Sequence, residues 1–292
     1  MNKFLSLLIL SFATSFALIS TGCSDDKRGA NQQNTYIMTG VMLHGPIKSV
    51  RATIKTPNEY DYLTDKTEGN LFIDFSPKGE LISYKYSTAS YISNDNLGNI
   101  SKQTYETSID KNTNYEKTIN SKILDANNFE QFTQTVKFYF NTDESGKINN
   151  IRTISNKSKP VTNTQTIAWE NDKVSRITGH NFLGVKTSIK YNYNAQGVLI
   201  SLIDSSANAK QSKSNFVTIK SIDYSYDKKG FLNKQIAQFY GKKSDAEYTY
   251  RDITLCLDND SYGNCLTEKI STFSPEDKLI YTTINKYEYQ YY

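Results

Sequence analysis

Six stretches of the chain carry an apolar or aromatic side chain at every second position: Leu71-Ile73-Phe75, Ile82-Tyr84-Tyr86, Val136-Phe138-Phe140, Ile189-Tyr191-Tyr193, Ile222-Tyr224-Tyr226 and Tyr287-Tyr289-Tyr291. A period of two places one class of side chain on one face of an extended strand and the other class on the opposite face. The composition agrees: 22 Tyr and 14 Phe stand against 3 Met and 1 Trp, and aromatic and β-branched residues suit a pleated, half-buried surface.

A recurring turn signal joins these runs. It reads FSPKGELI (75–82), FNTDESGKI (140–148), WENDKVSRI (169–177), YNAQGVLI (193–200), YDKKGFL (226–232), LDNDSYGNCL (257–266) and FSPEDKLI (273–280). Asp, Asn and Ser bond their own backbone at a turn, and Gly supplies the positive φ that closes a short hairpin loop. The expected fold class is therefore all-β, an antiparallel meander of long hairpins closed into a sandwich or a barrel-like sheet. The signals recur irregularly, about 25 to 33 residues apart in the C-terminal half, which makes a degenerate hairpin repeat rather than a strict array. The segment 90–130 is richer in Asn, Ser and Lys, and reads as longer loops around one or two strands. Within it, SKILDANNFEQF (121–132) is the best candidate for a helix.

The N-terminus carries a different message. Lys3, an apolar run from Phe4 to Ile19, and the small residues Ser20, Thr21 and Gly22 precede Cys23, the layout of a secretory signal peptide. The run is too short to span a bilayer, which takes about 20 residues. Its Gly22-Cys23 end resembles the lipobox of bacterial lipoproteins, although Ser20 stands where that pattern prefers leucine. The resemblance implies lipidation of Cys23, and several acyl chains on one residue exceed what stable anchoring needs. Residues 23–35 then read as the lipidated cysteine and a flexible polar tether, and residues 36–292 as a single β-rich domain. By analogy with lipoprotein sorting, Ser24 after the cysteine favours the outer membrane over the inner, with the protein facing the periplasm.

LHGPIKSVRATI (43–54), YNYNAQGVL (191–199), CLDNDSYGNC (256–265) and the terminal INKYEYQYY (284–292) together resemble the YnfC family of uncharacterised enterobacterial lipoproteins. The likeness covers the signal and about the last hundred residues. It implies an envelope location and brings no activity with it. The hairpins are also loosely similar to the YD repeats of Rhs-type surface proteins, which would suggest surface display or a toxin-associated role.

Cys256 and Cys265 flank a turn that would bring two antiparallel strands together, and an exported compartment permits oxidation, so a structural disulfide is expected. A redox pair would favour Cys-x-x-Cys spacing, and a zinc site would need two more ligands. Asp258, Asp260, Gly263 and Glu268 approximate a calcium loop, but Tyr262 occupies a ligand position and Glu268 falls one residue early, so an ordinary Asx turn is the better reading. His44 and His180 sit in no motif that pairs a nucleophile with a base. No cofactor or catalytic residue is assigned. Tyrosine stripes could stack on a glycan or peptide, yet cross-strand packing explains the same pattern.

Basic and acidic residues are interspersed around a formal charge of +4, which argues against nucleic acid as a partner. The expectation is a membrane-anchored envelope lipoprotein, not an enzyme, acting as a binding or envelope-maintenance module with an envelope protein or glycan as partner. The alternative is a periplasmic small-substrate enzyme or ligand carrier with a pocket in the sheet.

Overall fold

A strand that leaves a tight turn must run back beside its predecessor, so a chain of hairpins builds a meander. A computed structural model of the chain describes residues 26–41, 43–57, 66–94, 99–113, 115–125, 127, 129–156, 161–180, 184, 186–204, 216–243 and 246–292. The signal segment, Cys23 and Ser24 lie outside the described residues. Among the described residues the first element is helix α1 (Asp26–Thr39), followed by β1 (Ile47–Lys55), β2 (Lys66–Phe75), β3 (Leu81–Asn94) and β4 (Asn99–Asp110). Next come β5 (Glu116–Leu124), β6 (Glu130–Thr142), β7 (Ile148–Ser155), β8 (Val161–Glu170), β9 (Lys173–His180) and β10 (Lys186–Tyr193). The last six are β11 (Leu199–Asp204), β12 (Phe216–Tyr226), β13 (Leu232–Lys243), β14 (Ala246–Asn259), β15 (Cys265–Phe273) and β16 (Leu279–Tyr291). Each strand pairs with its sequence neighbours, and β1 pairs antiparallel with β16, so the sheet closes into a barrel. Of the two closures expected, the barrel is the one formed.

Six of the seven turn signals lie at one end, between β2 and β3, β6 and β7, β8 and β9, β10 and β11, β12 and β13, and β14 and β15. FSPEDKLI lies at the other, between β15 and β16. Four of the six share one design, and FSPKGELI keeps part of it, with Ser76 Oγ accepting from the Glu80 amide at 3.2 Å. Asp227 shows it: its Oδ1 accepts from the amides of Lys229 and Phe231, both at 2.8 Å, while Gly230 takes φ 82°. Asn194, Asp143 and Asp260 accept amides in the same way. WENDKVSRI differs, closing on Asn171 and Asp172, both at positive φ.

Two expectations need correction. The described residues of 121–132 form no helix: they belong to β5, a turn, and β6, because Asp125 Oδ1 accepts the amides of Asn127 and Phe129 and reverses the chain. Residues 90–130 are strand-rich rather than loop-rich, with Thr, Ser and Gln taking alternate inward places. In β4, for example, Gln103, Tyr105, Thr107 and Ile109 are all buried.

The inward face carries Val50, Ile73, Leu81, Phe140, Ile148, Ile167, Val174 and Leu199 towards the turn end. Outward positions are charged on most of the wall: Arg51, Lys55, Glu68, Asp74, Lys85, Glu106, Lys122, Lys137, Arg152, Arg176 and Lys190 are all exposed. A charge on a lipid-facing barrel wall costs roughly 2–4 kcal/mol near the bilayer midplane. This wall is therefore suited to water. Several outward rings lie under guanidinium groups, as Tyr139 does under Arg152 at 4.7 Å and Phe72 under Arg51 at 5.7 Å. Among the described residues no helix is long and apolar enough to cross a membrane.

The turn code predicts a graded response. Gly146→Ala meets open space but keeps φ 84°, so it should cost about 1–2 kcal/mol from backbone strain alone. Gly263→Ala would place Cβ 2.6 Å from the Phe231 ring as well, and should cost more. Urea unfolding of the two variants, side by side, checks the order.

Candidate functional site

Two features distinguish this barrel from a plain closed sheet: a sealed end and a polar interior wall. The seal is α1. The stretch expected to be a flexible tether is helical from Asp26 onward, and it docks by amide groups together with the apolar residues of its last turn. Asn31 Nδ2 donates to the Lys78 carbonyl in the β2–β3 turn at 3.2 Å. Asn34 Nδ2 donates to the Gly146 carbonyl at 2.7 Å, and Asn34 Oδ1 accepts from the Ile148 amide at 3.0 Å. The helix thus supplies partners to the backbone of the hairpin ends.

Its C-terminal turn enters the barrel. Tyr36 meets Tyr191 edge-on at 6.4 Å and lies 3.4 Å from the Tyr224 hydroxyl. Met38 joins the core formed by β1–β4 and β6–β9. Lys117, buried on β5, donates from Nζ to the Met38 carbonyl at 2.8 Å and lies 5.8 Å from the Phe138 ring centre. A cation suits the carbonyl end of a helix, although burial pushes the Lys117 ammonium down to about 7. Helix partners come from β2–β3, β5, β6–β7, β10 and β12, so α1 reaches across the barrel end.

Beyond the helix, the His44 amide donates to Asn264 Oδ1 at 2.8 Å, and Asn264 Nδ2 donates back to the His44 carbonyl at 3.0 Å. The Tyr291 hydroxyl donates to Asp260 in the same knot. Burial lowers the His44 imidazole to about 4, against the pull of Asp260. His44 therefore does meet an acid, but in a backbone clamp joining the β1 approach to the β14–β15 turn. His180 is exposed at the end of β9 away from the seal, so the two histidines are not brought together.

The polar wall lies on β13–β16. In β14 the usual polarity is reversed: Asp252 and Thr254 are buried, while Ile253 and Leu255 are half-buried and Leu257 is exposed. The register places Asp252 opposite Thr272, and Glu268 opposite Cys256 on one side and Asn285 on the other. Thr272 donates its hydroxyl to Asp252 Oδ1. Glu268 Oε2 accepts from Asn285 Nδ2 at 2.6 Å and from the Tyr287 hydroxyl at 2.9 Å. Among the described residues, Asp252 Oδ2, Thr254 Oγ1, Glu268 Oε1 and Asn285 Oδ1 find no partner. Burial pushes both the Asp252 and the Glu268 carboxyls up to about 7, against their hydrogen bonds. Two acids that change charge near neutrality thus stand in one wall.

Cys256 and Cys265 form a disulfide across the β14–β15 hairpin, with Cα atoms 5.7 Å apart. Asp260 makes the Asx turn expected of it, with Oδ1 accepting from the Tyr262 and Asn264 amides. Glu268 is buried at 0% exposure on β15, while Asp258 is exposed, so the calcium-like spacing does not gather these groups. The tyrosine stripes point inward: Tyr84, Tyr105 and Tyr224 are buried, and Tyr287, Tyr289 and Tyr291 are half-buried with their rings stacked in sequence at 6.1 and 6.5 Å. Asp252 and Lys117 escaped sequence reasoning, and Glu268 entered it only as part of the calcium-like spacing, not as an interior acid. The available signal was an ionisable residue in phase with inward neighbours, as Glu268 is with Ile270.

A scan against protein-family models finds no match, and a search of curated proteins finds no similar one. Solved structures do align. A porin-like protein from Bacteroides uniformis is 10% identical, with 85% of this chain and 99% of that one covered at a TM-score of 0.34. A beta-barrel-like protein of DUF1849 from Brucella abortus is 10% identical, with coverage of 84% and 98% and a TM-score of 0.31. The Photorhabdus luminescens Tc holotoxin pore is 12% identical, with coverage of 75% and 12% and a TM-score of 0.30. At such scores these likenesses carry no argument about this chain.

Glu268 offers a test of the wall. The groups facing it are Asn285, Tyr287, Tyr289 and, from β3, Tyr86, whose hydroxyl burial pushes up to about 12. A carboxyl whose folded pKa is raised binds its proton more tightly when folded. Its contribution to stability is full below the unfolded value of about 4.3 and is lost as pH rises through about 7. Glu268→Gln keeps an acceptor for Asn285 and Tyr287 and removes the charge. The melting temperature of the variant, relative to the parent, should therefore be higher at pH 8 than at pH 5; an equal difference at both would refute it.

Proposed function

We propose that this chain is an envelope lipoprotein, held to a membrane through lipid on Cys23, whose barrel stands in the periplasm as a non-catalytic binding module. The observation that carries the proposal is the charged outer wall, with Arg51, Lys55, Glu68, Lys85, Lys137 and Arg176 exposed. A wall of that kind belongs in water, which leaves membrane attachment to the lipobox-like Gly22-Cys23. The resemblance of residues 43–54, 191–199, 256–265 and 284–292 to YnfC-type lipoproteins agrees with this, and Ser24 favours the outer membrane. The sealed end supports a binding role over a through-channel, because α1 and its partners occupy one mouth. His44 serves a backbone clamp and His180 stands apart from it, which supports a non-catalytic role.

A second reading, a carrier of a small ligand, is favoured by the polar wall. Unpartnered buried oxygens are costly, and Asp252, Thr254, Glu268 and Asn285 would gain partners from a donor-rich ligand admitted between the strands. The carrier and the envelope module share the same anchor.

Mass spectrometry of the mature protein from a Gram-negative host should find acyl chains on Cys23 and the residues before it removed. Cys23→Ser should shift the protein from the membrane fraction to the soluble periplasmic fraction. An unmodified N-terminus on membrane-bound protein would overturn the proposal.

A further inference from the structure

The helix that seals the barrel also limits how far the body can stand from its anchor. Cys23 precedes the first helical residue, Asp26, by three positions, a reach of at most about 11 Å when fully extended. Asp26 lies five residues from Asn31, about 8 Å along a helix, and Asn31 is bonded to the β2–β3 turn. With the Asn31 side chain and its hydrogen bond added, Cys23 stays within roughly 25 Å of that turn. The barrel is taller than this reach: the 14 residues of β3, tilted as barrel strands are, span roughly 30–35 Å.

A second observation concerns the same end. Eight large hydrophobic side chains are exposed among the described residues. Five of them, Ile82, Ile200, Leu257, Tyr262 and Tyr292, lie in a hairpin turn of the sealed end, within three residues of one, or at the last position beside it. Four fall in one sector, running from β14 through the β16–β1 closure to β3. The sector is continuous: Tyr262 packs on Gly45, the Pro46 carbonyl accepts from the Tyr292 amide at 3.0 Å, and the Tyr292 hydroxyl donates to the Phe75 carbonyl. Between them lies a cleft lined by Leu43, Pro46, Phe75 and Pro77, with Gln32 and Thr35 of α1 at its edge. Leu257 is 57% exposed and Tyr292 52%, which is unfavourable in water and favourable at a lipid interface, where aromatic rings with a polar tip settle.

We infer that the sealed end, through its β14–β3 sector, rests on the surface of the bilayer that carries the Cys23 lipid, while the opposite end faces away. The inference rests on the lipoprotein reading above. The short link holds the body at the membrane, and the apolar sector decides which side turns to it. A flexible linker would leave the barrel free to tumble; a helix clamped by Asn31, Asn34 and Lys117 does not.

The test uses full-length lipidated protein in phospholipid vesicles that carry a quencher on the lipid headgroup. A fluorophore is attached through Lys78→Cys in the β2–β3 turn or through Glu276→Cys in the β15–β16 turn; both native side chains are exposed. Quenching should be several-fold stronger at position 78 than at position 276. The double variant Leu257→Ser, Tyr292→Ser should remain on the vesicles and lose much of that contrast. Equal quenching at both positions, or a contrast untouched by the double variant, would overturn the inference and leave the anchor standing. Protein that carries no lipid on Cys23 by mass spectrometry would overturn both.

Discussion

The ladder between β1 and β16 joins residues more than two hundred positions apart, with Val50 opposite Tyr289 and Ile54 opposite Asn285. Everything else depends on it. Without it β1 and β16 would each present an unpaired edge, an invitation to pair with other chains. With it the inward face of every strand shares one interior, and the tyrosines of β16 reach the β14–β15 turn and the His44 clamp. Closing so long a loop is entropically modest, since the cost grows only with the logarithm of length. It is kinetically demanding, because a meander closed by its ends is rich in distant contacts.

Closure also leaves a wide mouth. Barrels of this strand number enclose a channel in porins, and here the turn end is filled by an N-terminal helix. The helix packs Tyr36, Ile37 and Met38 against the core and supplies partners to backbone carbonyls and an amide at the hairpin ends. Lys117 answers from within by binding the Met38 carbonyl. Across the interior the character changes from aliphatic and aromatic near the seal to amide, hydroxyl and carboxyl on β13–β16. Asp252 and Glu268 are favoured there as neutral acids and disfavoured as anions, because burial pushes both carboxyls up to about 7.

The hairpins were legible because turn chemistry is local: Asp227 and Gly230 act on atoms within four residues. So were the strands outside residues 90–130 and the Cys256–Cys265 bridge. The helix was not legible, because its docking atoms belong to Lys78, Gly146 and Ile148, distant in sequence, and Asn and Gln carry no amphipathic signal. The stretch 121–132 misled because its apolar residues Ile123, Leu124, Phe129 and Phe132 do not alternate, while one side chain, Asp125, reverses the chain. β14 shows a deeper limit. YRDITLCLDN offers apolar residues in both phases, and only closure of the barrel decides that Asp252 and Thr254 face inward. The acids of the interior wall were hidden behind that choice.

Closure of the sheet by β1 and β16 is the claim on which the sealed end, the interior wall and the proposed orientation on the membrane all stand. Native-state hydrogen exchange, resolved by residue, measures it. Amides of 47–55 and 284–291 should exchange as slowly as those of the central strands β8 and β9, since all are laddered on both sides. Rapid exchange confined to β1 and β16, with slow exchange elsewhere, would show an open sheet and contradict the account.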